Sequence, residues 1–375
     1  MAPISEAHLY PCEQCGAELR FAPGQTALKC DHCGHVQKIA AAADSDRATT
    51  FAEHDLADGL KDDLPDTASE EVRSTHCPNC GAVVEFQGAS HATECPFCAT
   101  PVVVDTGSRR RIKPQALIPF QLDEPTARKA LITWLGSLWF APNRLLEFTR
   151  AGRAMNGVYV PYWTFDADTH SRYRGSKGVH YYETRTVTVN VNGRNEQRQE
   201  QVQKTRWYPA SGNVARQFDD VLVIASTSLP TRLGDGLEPW DMGSMNAYSP
   251  DFLAGFQAEG YTVALADGHQ VGKTKMDAVI YQDVRSDIGG DEQRVDNVDT
   301  DYENEKFKHV LLPVWMAAYK YANKSYRFLV NGQTGEVQGE RPWSVWKITF
   351  AVIGVLIVVG AATYAYYLHD PSAFQ

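Results

Sequence analysis

The pattern of apolar and polar residues is most pronounced near the C-terminus. From Ile348 to Leu368 the chain has 21 residues without a formal charge, which as a helix would span about 30 Å of hydrocarbon. Residues typical of membrane interfaces flank this run: Trp343, Trp346 and Lys347 before it, and Tyr364, Tyr366 and Tyr367 within its last turns. The pattern predicts a transmembrane helix at residues 343–369, which contacts the lipid bilayer through Ile348 to Leu368.

The charges beside this run predict its orientation. Arg341 and Lys347 precede it, whereas the tail at residues 370–375 has Asp370 as its one formal charge. Because positively charged flanks stay on the cytoplasmic side, we expect a single-pass protein whose bulk is cytoplasmic and whose tail is extracytoplasmic.

Residues 106–342 alternate between strand-like and helix-like patterns. Thr184 to Val191 is rich in Thr and Val and is followed by Asn192-Gly193, a typical hairpin turn, so a projecting β-hairpin is predicted there. Apolar residues recur at helical spacing between Ala130 and Ala141, with Asp123 as the N-cap. We expect this amphipathic helix to face the core, with a position at the membrane surface as the alternative. The region is predicted to be one mixed α+β domain.

Two strand-like segments in this domain resemble each other. Val158 to Trp163 and Val310 to Trp315 share a proline and a tryptophan at the same offset, which suggests a weak internal duplication. The prolines are expected at a strand edge or bulge, and the tryptophans in the core.

The composition is that of a folded, acidic protein. Apolar residues make up 43% and charged residues 22% of the 375 residues, which excludes wholesale disorder. A mean hydropathy of −0.36 is too polar for a transporter with many spans. With 36 basic and 46 acidic residues the net charge is −10, which disfavours a general nucleic-acid binder.

The eight cysteines form a repeated pattern of Cys-x-x-Cys pairs. The spacing of the first four recurs 65 residues later: Cys12, Cys15, Cys30 and Cys33, then Cys77, Cys80, Cys95 and Cys98. Two such turns on facing hairpins direct four thiolates at one ion, as in structural zinc sites. The sequence therefore predicts two zinc ribbons, at residues 1–40 and 75–105, each with one structural zinc ion bound by its four cysteines.

The metal could also be iron, because rubredoxin-like sites use similar turns, but zinc is favoured. His32 and His35 are expected to be surface residues, since four thiolates already complete a tetrahedral shell. Between the ribbons, residues 41 to 76 contain ten acidic and three basic residues. Residues 41–74 are therefore expected to form an acidic, flexible linker.

One segment resembles a phosphate-binding loop but departs from its pattern. Gly268 and Gly272 are separated by three residues, where the loop needs four, and apolar residues from Met276 to Ile288 recur every four residues as in a helix. Catalytic residues are assigned nowhere, no small-molecule substrate is evident, and the chain is expected not to be an enzyme.

The paired ribbons and several longer stretches resemble a known bacterial family. The stretches are RIKPQALIPFQLDEPTARKALITWL, GVYVPYWTFDA, RWYPASGNVARQFDDVLVIAS and LLPVWMAAYKYANKSYRFLVNGQTGEVQGERPWSVWKI. Together they are similar to the membrane-anchored TFIIB-type double zinc-ribbon family, whose members are often labelled primosomal protein N′ or helicase-related. One branch is linked to membrane anchoring of phage-shock-protein-A-type proteins. The resemblance implies a location in the bacterial inner membrane.

The leading hypothesis is a non-enzymatic, tail-anchored scaffold whose zinc ribbons and cytoplasmic domain recruit a protein partner to the inner membrane. The resemblance implies a partner in an envelope-stress, phage-shock-type complex. The alternative is a nucleic-acid-binding protein related to replication or helicase factors. Its support is the basic cluster Arg109, Arg110, Arg111 and Lys113. An ATP-driven enzyme is the third hypothesis.

Overall fold

The computed structural model describes residues 10–39, 53–61, 64–65, 68–79, 81–85, 92–95, 101–103, 108–138, 155–191, 194–321, 324–340 and 345–369. The strands are β1 (Leu19–Phe21), β2 (Ala27–Cys30), β3 (Val36–Lys38), β4 (His54–Asp55), β5 (Ser69–His76), β6 (Val83–Glu85), β7 (Ala92–Glu94), β8 (Pro101–Val103), β9 (Ser108–Ile112), β10 (Ala116–Leu117), β11 (Asn156–Val191), β12 (Arg194–Ile224), β13 (Asn246–Ala247), β14 (Gln257–Ala258), β15 (Glu292–Tyr321), β16 (Lys324–Asn331) and β17 (Val337–Gly339). The helices are α1 (Leu56–Leu60), α2 (Glu124–Ser137), α3 (Thr231–Asp235), α4 (Leu265–Ile288) and α5 (Val345–His369).

A mixed sheet built on three long strands dominates the fold. β11 lies between β12 and β15 and pairs antiparallel with both. β10 and β14 add short parallel pairs to β15 and β11, respectively, and β16 pairs antiparallel with β15. This architecture confirms the predicted α+β class.

The predicted β-hairpin is present and is longer than the sequence pattern indicated. β15 accompanies β11 as far as the pair Gly178↔Glu292. From Val179↔Arg206 to Val191↔Arg194, β11 pairs with β12 over thirteen residue pairs, and among the described residues no third strand pairs with this stretch. These two strand segments, residues 179–191 and 194–206, are called the hairpin extension below, and at about 3.3 Å per residue they run for about 40 Å.

The two faces of the sheet are covered by different elements. On one face, α2 and α4 pack through apolar residues at helical spacing, including Leu131 and Leu135 of α2 and Ile280 and Val284 of α4. The other face is covered by the segment that includes α3. The core-facing position of α2, with Asp123 accepting a hydrogen bond from the Thr126 N–H, matches the prediction, although the helix ends at Ser137. Residues 139–141 of the predicted helix lie outside the described part.

The segment that resembles a phosphate-binding loop lies inside α4, as its apolar spacing predicted. Gly268 and Gly272 lie against the sheet, where a Cβ would come within 2.6 Å of Trp163 Cδ1 and 2.8 Å of Phe165 Cδ2. These glycines therefore allow close packing of helix on sheet, and they do not form a phosphate cradle.

The element order repeats within the domain, which supports the internal duplication. β10, α2, β11 and β12 occur in the same order as β14, α4, β15 and β16, and the long strands of the two sets pair with each other. The Trp163 indole N–H donates to the Val263 carbonyl at 3.0 Å, and the Trp315 indole N–H donates to the Leu122 carbonyl at 2.9 Å. Each acceptor lies two residues before a helix, so each tryptophan fixes the start of the helix in the other half.

The prolines of the two related segments lie in central strands, so the expected position at a sheet edge is wrong. Pro161 lies where β14 ends and β12 begins to pair with β11, and its carbonyl accepts the Ala225 N–H at 2.9 Å. Pro313 lies where β10 ends and β16 begins to pair with β15, and its carbonyl accepts the Gly332 N–H at 2.8 Å. A missing N–H is tolerated at these junctions because the neighbouring strand is interrupted there.

We expect Trp163→Phe and Trp315→Phe each to lower the free energy of unfolding by about 1–3 kcal/mol, because a partly buried carbonyl loses its donor. Chemical denaturation of each variant would measure the change. Trp346→Phe, at a residue that is 75% exposed, is the matched control and should change little. If either core variant is as stable as that control, the paired role of the tryptophans is contradicted.

Part of the predicted flexible linker is structured, so that prediction is wrong for residues 53–61. β4 pairs with Lys306 and Phe307 of β15, and α1 begins at the N-cap Asp55, whose carboxylate accepts the Ala57 N–H. Leu56 is buried in the core. The acidic composition did not reveal this segment, because the residues of β15 that hold it on the sheet are distant in the sequence.

At the C-terminal end, α5 is long and apolar enough to cross a membrane. The candidate span is Trp346–Tyr366, with a mean hydropathy of 2.3, and its side chains are not covered by other parts of the described structure. This agrees with the predicted position of the transmembrane helix. Its orientation and the predicted location in the inner membrane stay predictions.

Candidate metal centre

Four cysteines of the first predicted ribbon lie together at one point. The Sγ atoms of Cys12, Cys15, Cys30 and Cys33 all lie within 4.8 Å of one another. Cys12 and Cys33 are 3.5 Å apart, and so are Cys15 and Cys30. The sulfurs of a tetrahedral zinc–thiolate site are roughly 3.8 Å apart, since each Zn–S bond is about 2.3 Å. The cluster could therefore hold a metal ion such as zinc.

The backbone around each cysteine pair has a repeated geometry. The N–H of Cys12 donates to the Ala17 carbonyl and the N–H of Gly16 donates to the Cys12 carbonyl, at 2.7 and 2.8 Å. The same two bonds recur from Cys30 to His35 and from Gly34 to Cys30. Gly16 and Gly34 have φ of 70° and 77°, so glycine is favoured at both turns.

The four thiols compete for ionisation because they are so close. Hydrogen bonding from the Cys33 N–H, with a smaller contribution from His32, lowers the pKa of the Cys30 thiol to about 6. The His35 N–H lowers the pKa of the Cys33 thiol, but desolvation and the neighbouring thiols outweigh it and raise that pKa to about 12. A divalent cation would stabilise all four thiolates together, so the donor set fits a metal ion.

The first ribbon is packed against the large sheet domain. Its strands β1, β2 and β3 form a small antiparallel sheet. Phe21 of β1 contacts Phe252 and Phe256, with ring centroids 5.4 and 6.3 Å apart, and its N–H donates to the Ala254 carbonyl. Two cysteines, Cys12 and Cys30, are buried in the interface core, whereas Cys15 and Cys33 are exposed.

The second ribbon repeats the backbone geometry where it is described. Cys77 and Cys95 are buried, and the Cys77 N–H donates to the Ala82 carbonyl while the Gly81 N–H donates to Cys77. Cys80 and Cys98 lie outside the described residues, so the second set of four sulfurs stays a prediction. Cys77, Ala82 and Cys95 belong to the core on the sheet face opposite α2 and α4.

A buried ionic network that no sequence pattern predicts lies on the sheet. The side chain of Lys308 is 6% exposed, and its Nζ lies 2.8 Å from Asp220 Oδ1, 3.1 Å from Glu53 Oε1 and 3.6 Å from Asp166 Oδ2. Lys306 also contacts Glu53, at 3.1 Å. The acids come from three distant segments, so no local motif signals the network. Glu53, Asp166 and Asp219 are close enough to share a cation, but Lys306 and Lys308 already supply positive charge there.

Between about pH 7.5 and about pH 5, we expect Asp166 to contribute stability that increases as the pH falls. Burial, with smaller contributions from Glu53 and Asp220, raises the pKa of Asp166 from 3.8 to about 6 against the opposing effect of Lys308. A folded-state pKa above the unfolded value means that stability is present at low pH and is lost as the pH rises through 6. Thermal melts across this range should give melting temperatures that depend differently on pH in wild type and in Asp166→Asn. Parallel plots of melting temperature against pH would contradict the assignment to Asp166.

The comparisons with known proteins extend over nearly the whole chain without supplying a function. The chain is 25% identical over 348 residues to the uncharacterized protein YdjG of Bacillus subtilis (strain 168), covering 92% of this chain and 93% of that protein. No family model matches the chain, and no solved structure matches it.

Proposed function

We propose that this protein is a non-enzymatic, tail-anchored scaffold of the bacterial inner membrane. Two zinc ribbons, held by Cys12, Cys15, Cys30 and Cys33 and by Cys77, Cys80, Cys95 and Cys98, stiffen a cytoplasmic domain that recruits a protein partner. The partner is proposed to belong to an envelope-stress complex of the phage-shock type. Metal suits this role because it fixes small rigid surfaces that cannot bury a large core alone.

The observation that carries the proposal is the hairpin extension. A two-stranded hairpin is marginally stable in water, yet this one continues for thirteen pairs beyond the third strand. One face presents uncharged polar residues, with Thr184 opposite Gln201 and Thr186 opposite Gln199, all exposed. Such a ribbon gains stability when another protein covers it or adds a strand to it.

The basic cluster gives little support to nucleic-acid binding. In the strand register, Arg110 and Arg111 of β9 are opposite Glu71 and Glu70 of β5, so acidic positions lie beside the basic ones. Arg111 is buried, and its guanidinium donates to the Tyr261 carbonyl at 2.8 Å. Phosphate binding by the Gly268–Gly272 segment is also disfavoured, because both glycines pack against the sheet.

Shortening the hairpin extension tests the proposal. In the variant, residues 181–204 are replaced by Asn-Gly, which joins His180 to Thr205 through a tight turn. We expect unchanged membrane attachment and melting temperature, and an at least tenfold loss of co-purified membrane-associated partner from cells expressing the full chain.

The matched control is Thr184→Ser with Thr186→Ser, which retains both strands and the polar face. Purification in mild detergent followed by quantitative mass spectrometry compares the three proteins. If wild type and the shortened variant give identical profiles that contain background proteins alone, the hairpin extension is ruled out as the recruiting surface.

A further inference from the structure

The outer edge of β12 is open along the hairpin extension. β12 is the first strand in the order of the large sheet, and among the described residues no strand pairs with the side that faces away from β11. The side chains from Gln197 to Lys204 are all exposed. A long, exposed edge strand presents unpaired N–H and C=O groups, with which a strand of another chain can pair.

The hydrogen bonds identify which residues of β12 face outward. The His180 N–H donates to a carboxylate oxygen of Asp291 at 2.7 Å, and Asp291 directly precedes β15, so this N–H points away from β12. His180 is opposite Thr205. In an antiparallel ladder both residues of such a pair turn their backbone groups outward, and every second pair does the same. The outward residues of β12 in the hairpin extension are therefore Gln197, Gln199, Gln201, Gln203 and Thr205.

The same alternation places Pro209 at an outward position of β12. Pro209 is opposite Ser176, which is itself opposite Arg294 of β15, so this position lies in the three-stranded part of the sheet. Proline has no N–H, and on an edge strand it blocks the addition of another strand. The edge of β12 is therefore interrupted beside β15 and is open along the hairpin extension.

A second copy of the chain fits this edge as an antiparallel strand. In a symmetric pair of β12 strands the two-fold axis passes through an outward residue, which lies opposite itself. An axis at Gln201 or Thr205 would bring Lys204 opposite Arg198 or Arg206, and an axis at position 199 would bring 204 opposite the arginine at 194. Like charges directly opposite each other destabilise a sheet. An axis at position 197 would leave three residues before β12 ends.

An axis at Gln203 gives a register with complementary charges. Glu200 then lies opposite Arg206 of the second copy, and Arg198 lies opposite Tyr208 of the second copy. The symmetry repeats both pairs. Over the whole segment from Arg198 to Tyr208, no two like charges are directly opposite each other.

Contacts within each hairpin are compatible with this register. Lys204 forms an ion pair with Glu183 of β11, so its charge is countered within its own chain. Glu200 is opposite Arg185 of β11. In the paired edges Glu200 therefore lies between two arginine positions, Arg185 of its own chain and Arg206 of the second copy.

We propose that the hairpin extension pairs with that of a second copy through the outer edges of β12, with the two-fold axis at Gln203. The sheet of one chain then continues into the sheet of the other. The inference goes beyond the recruitment of a partner and does not depend on it, because it assigns an occupant to one edge and leaves both faces of the hairpin extension open.

Charge exchange in the full chain tests the register. Glu200→Arg and Arg206→Glu each place like charges opposite each other across the axis, so each variant should self-associate about tenfold or more weakly than wild type. A mixture of the two variants restores opposite charges at both positions and should associate as tightly as wild type. Light scattering of each protein in mild detergent, and co-purification of two differently tagged chains, provide the measurements.

Gln203→Pro tests the hydrogen bonds of the edge. It removes the N–H at the axis, which faces outward as Pro209 does, so the melting temperature should be retained and self-association lost. The control Gln203→Thr keeps the N–H and should associate as wild type. A monomeric wild-type chain, a charge variant that associates as tightly as wild type, or a mixture that does not recover would each refute the pairing. Partner recovery, measured separately by mass spectrometry, tests the proposed function independently.

Discussion

Replacing Cys30 with serine is expected to reduce the metal content from two ions per chain to one and to unfold the first ribbon. Cys30 is fully buried, and its Sγ lies 3.5 Å from that of Cys15. Metal binding supplies the folding free energy of such small modules, about 10–16 kcal/mol in zinc-finger peptides, so losing one thiolate removes most of it. Elemental analysis and limited proteolysis of residues 10–39 measure the two effects.

His35→Ala is the control for this experiment, because His35 follows the second cysteine pair but is expected not to bind the metal. Its backbone carbonyl, which accepts the Cys30 N–H, is retained in the variant. We expect two bound ions and an undigested ribbon. Full metal content in Cys30→Ser would show that the four cysteines do not act as one site.

Removing α5 is expected to move the protein from the membrane fraction to the soluble fraction. The candidate span Trp346–Tyr366 has the length and hydropathy to cross a bilayer, and the described residues before it form three internal apolar cores. Truncation after Glu340 therefore removes the proposed anchor. Fractionation of cells with an alkaline wash provides the measurement.

A matched control replaces Trp346–Tyr366 by a leucine–alanine helix of the same length, which should restore tight membrane association. If the truncated protein resists alkaline extraction, the anchor lies elsewhere. If the wild-type protein is extracted by the wash, it is peripheral and not inserted.

The sequence predicted features whose signals are local. Cysteine spacing identified the four residues that converge in the first ribbon, and alternation followed by Asn-Gly identified the hairpin. The spacing of apolar residues identified α2 and α4. It also indicated that the segment with Gly268 is helical and is not a phosphate-binding loop. Each of these signals spans fewer than about thirty residues, so local periodicity and turn chemistry are sufficient.

Features that depend on distant pairing could not be predicted. β11 and β15 pair across more than one hundred residues, and Pro161 and Pro313 are tolerated in these strands because the neighbouring strand on the other side is interrupted at each proline. The docking of residues 53–61 depends on Lys306 and Lys308, which no pattern within the acidic segment reveals. The composition of such a segment predicts a linker, because it contains no information on the residues of β15 that hold the segment.

X-ray absorption spectroscopy on the purified full-length protein tests the central claim most directly. We expect two ions per chain, identified as zinc by the absorption edge, each with four sulfur neighbours at about 2.3 Å. A protein without bound metal, or a metal shell dominated by nitrogen and oxygen, would contradict the two metal-held ribbons on which the proposed scaffold is built.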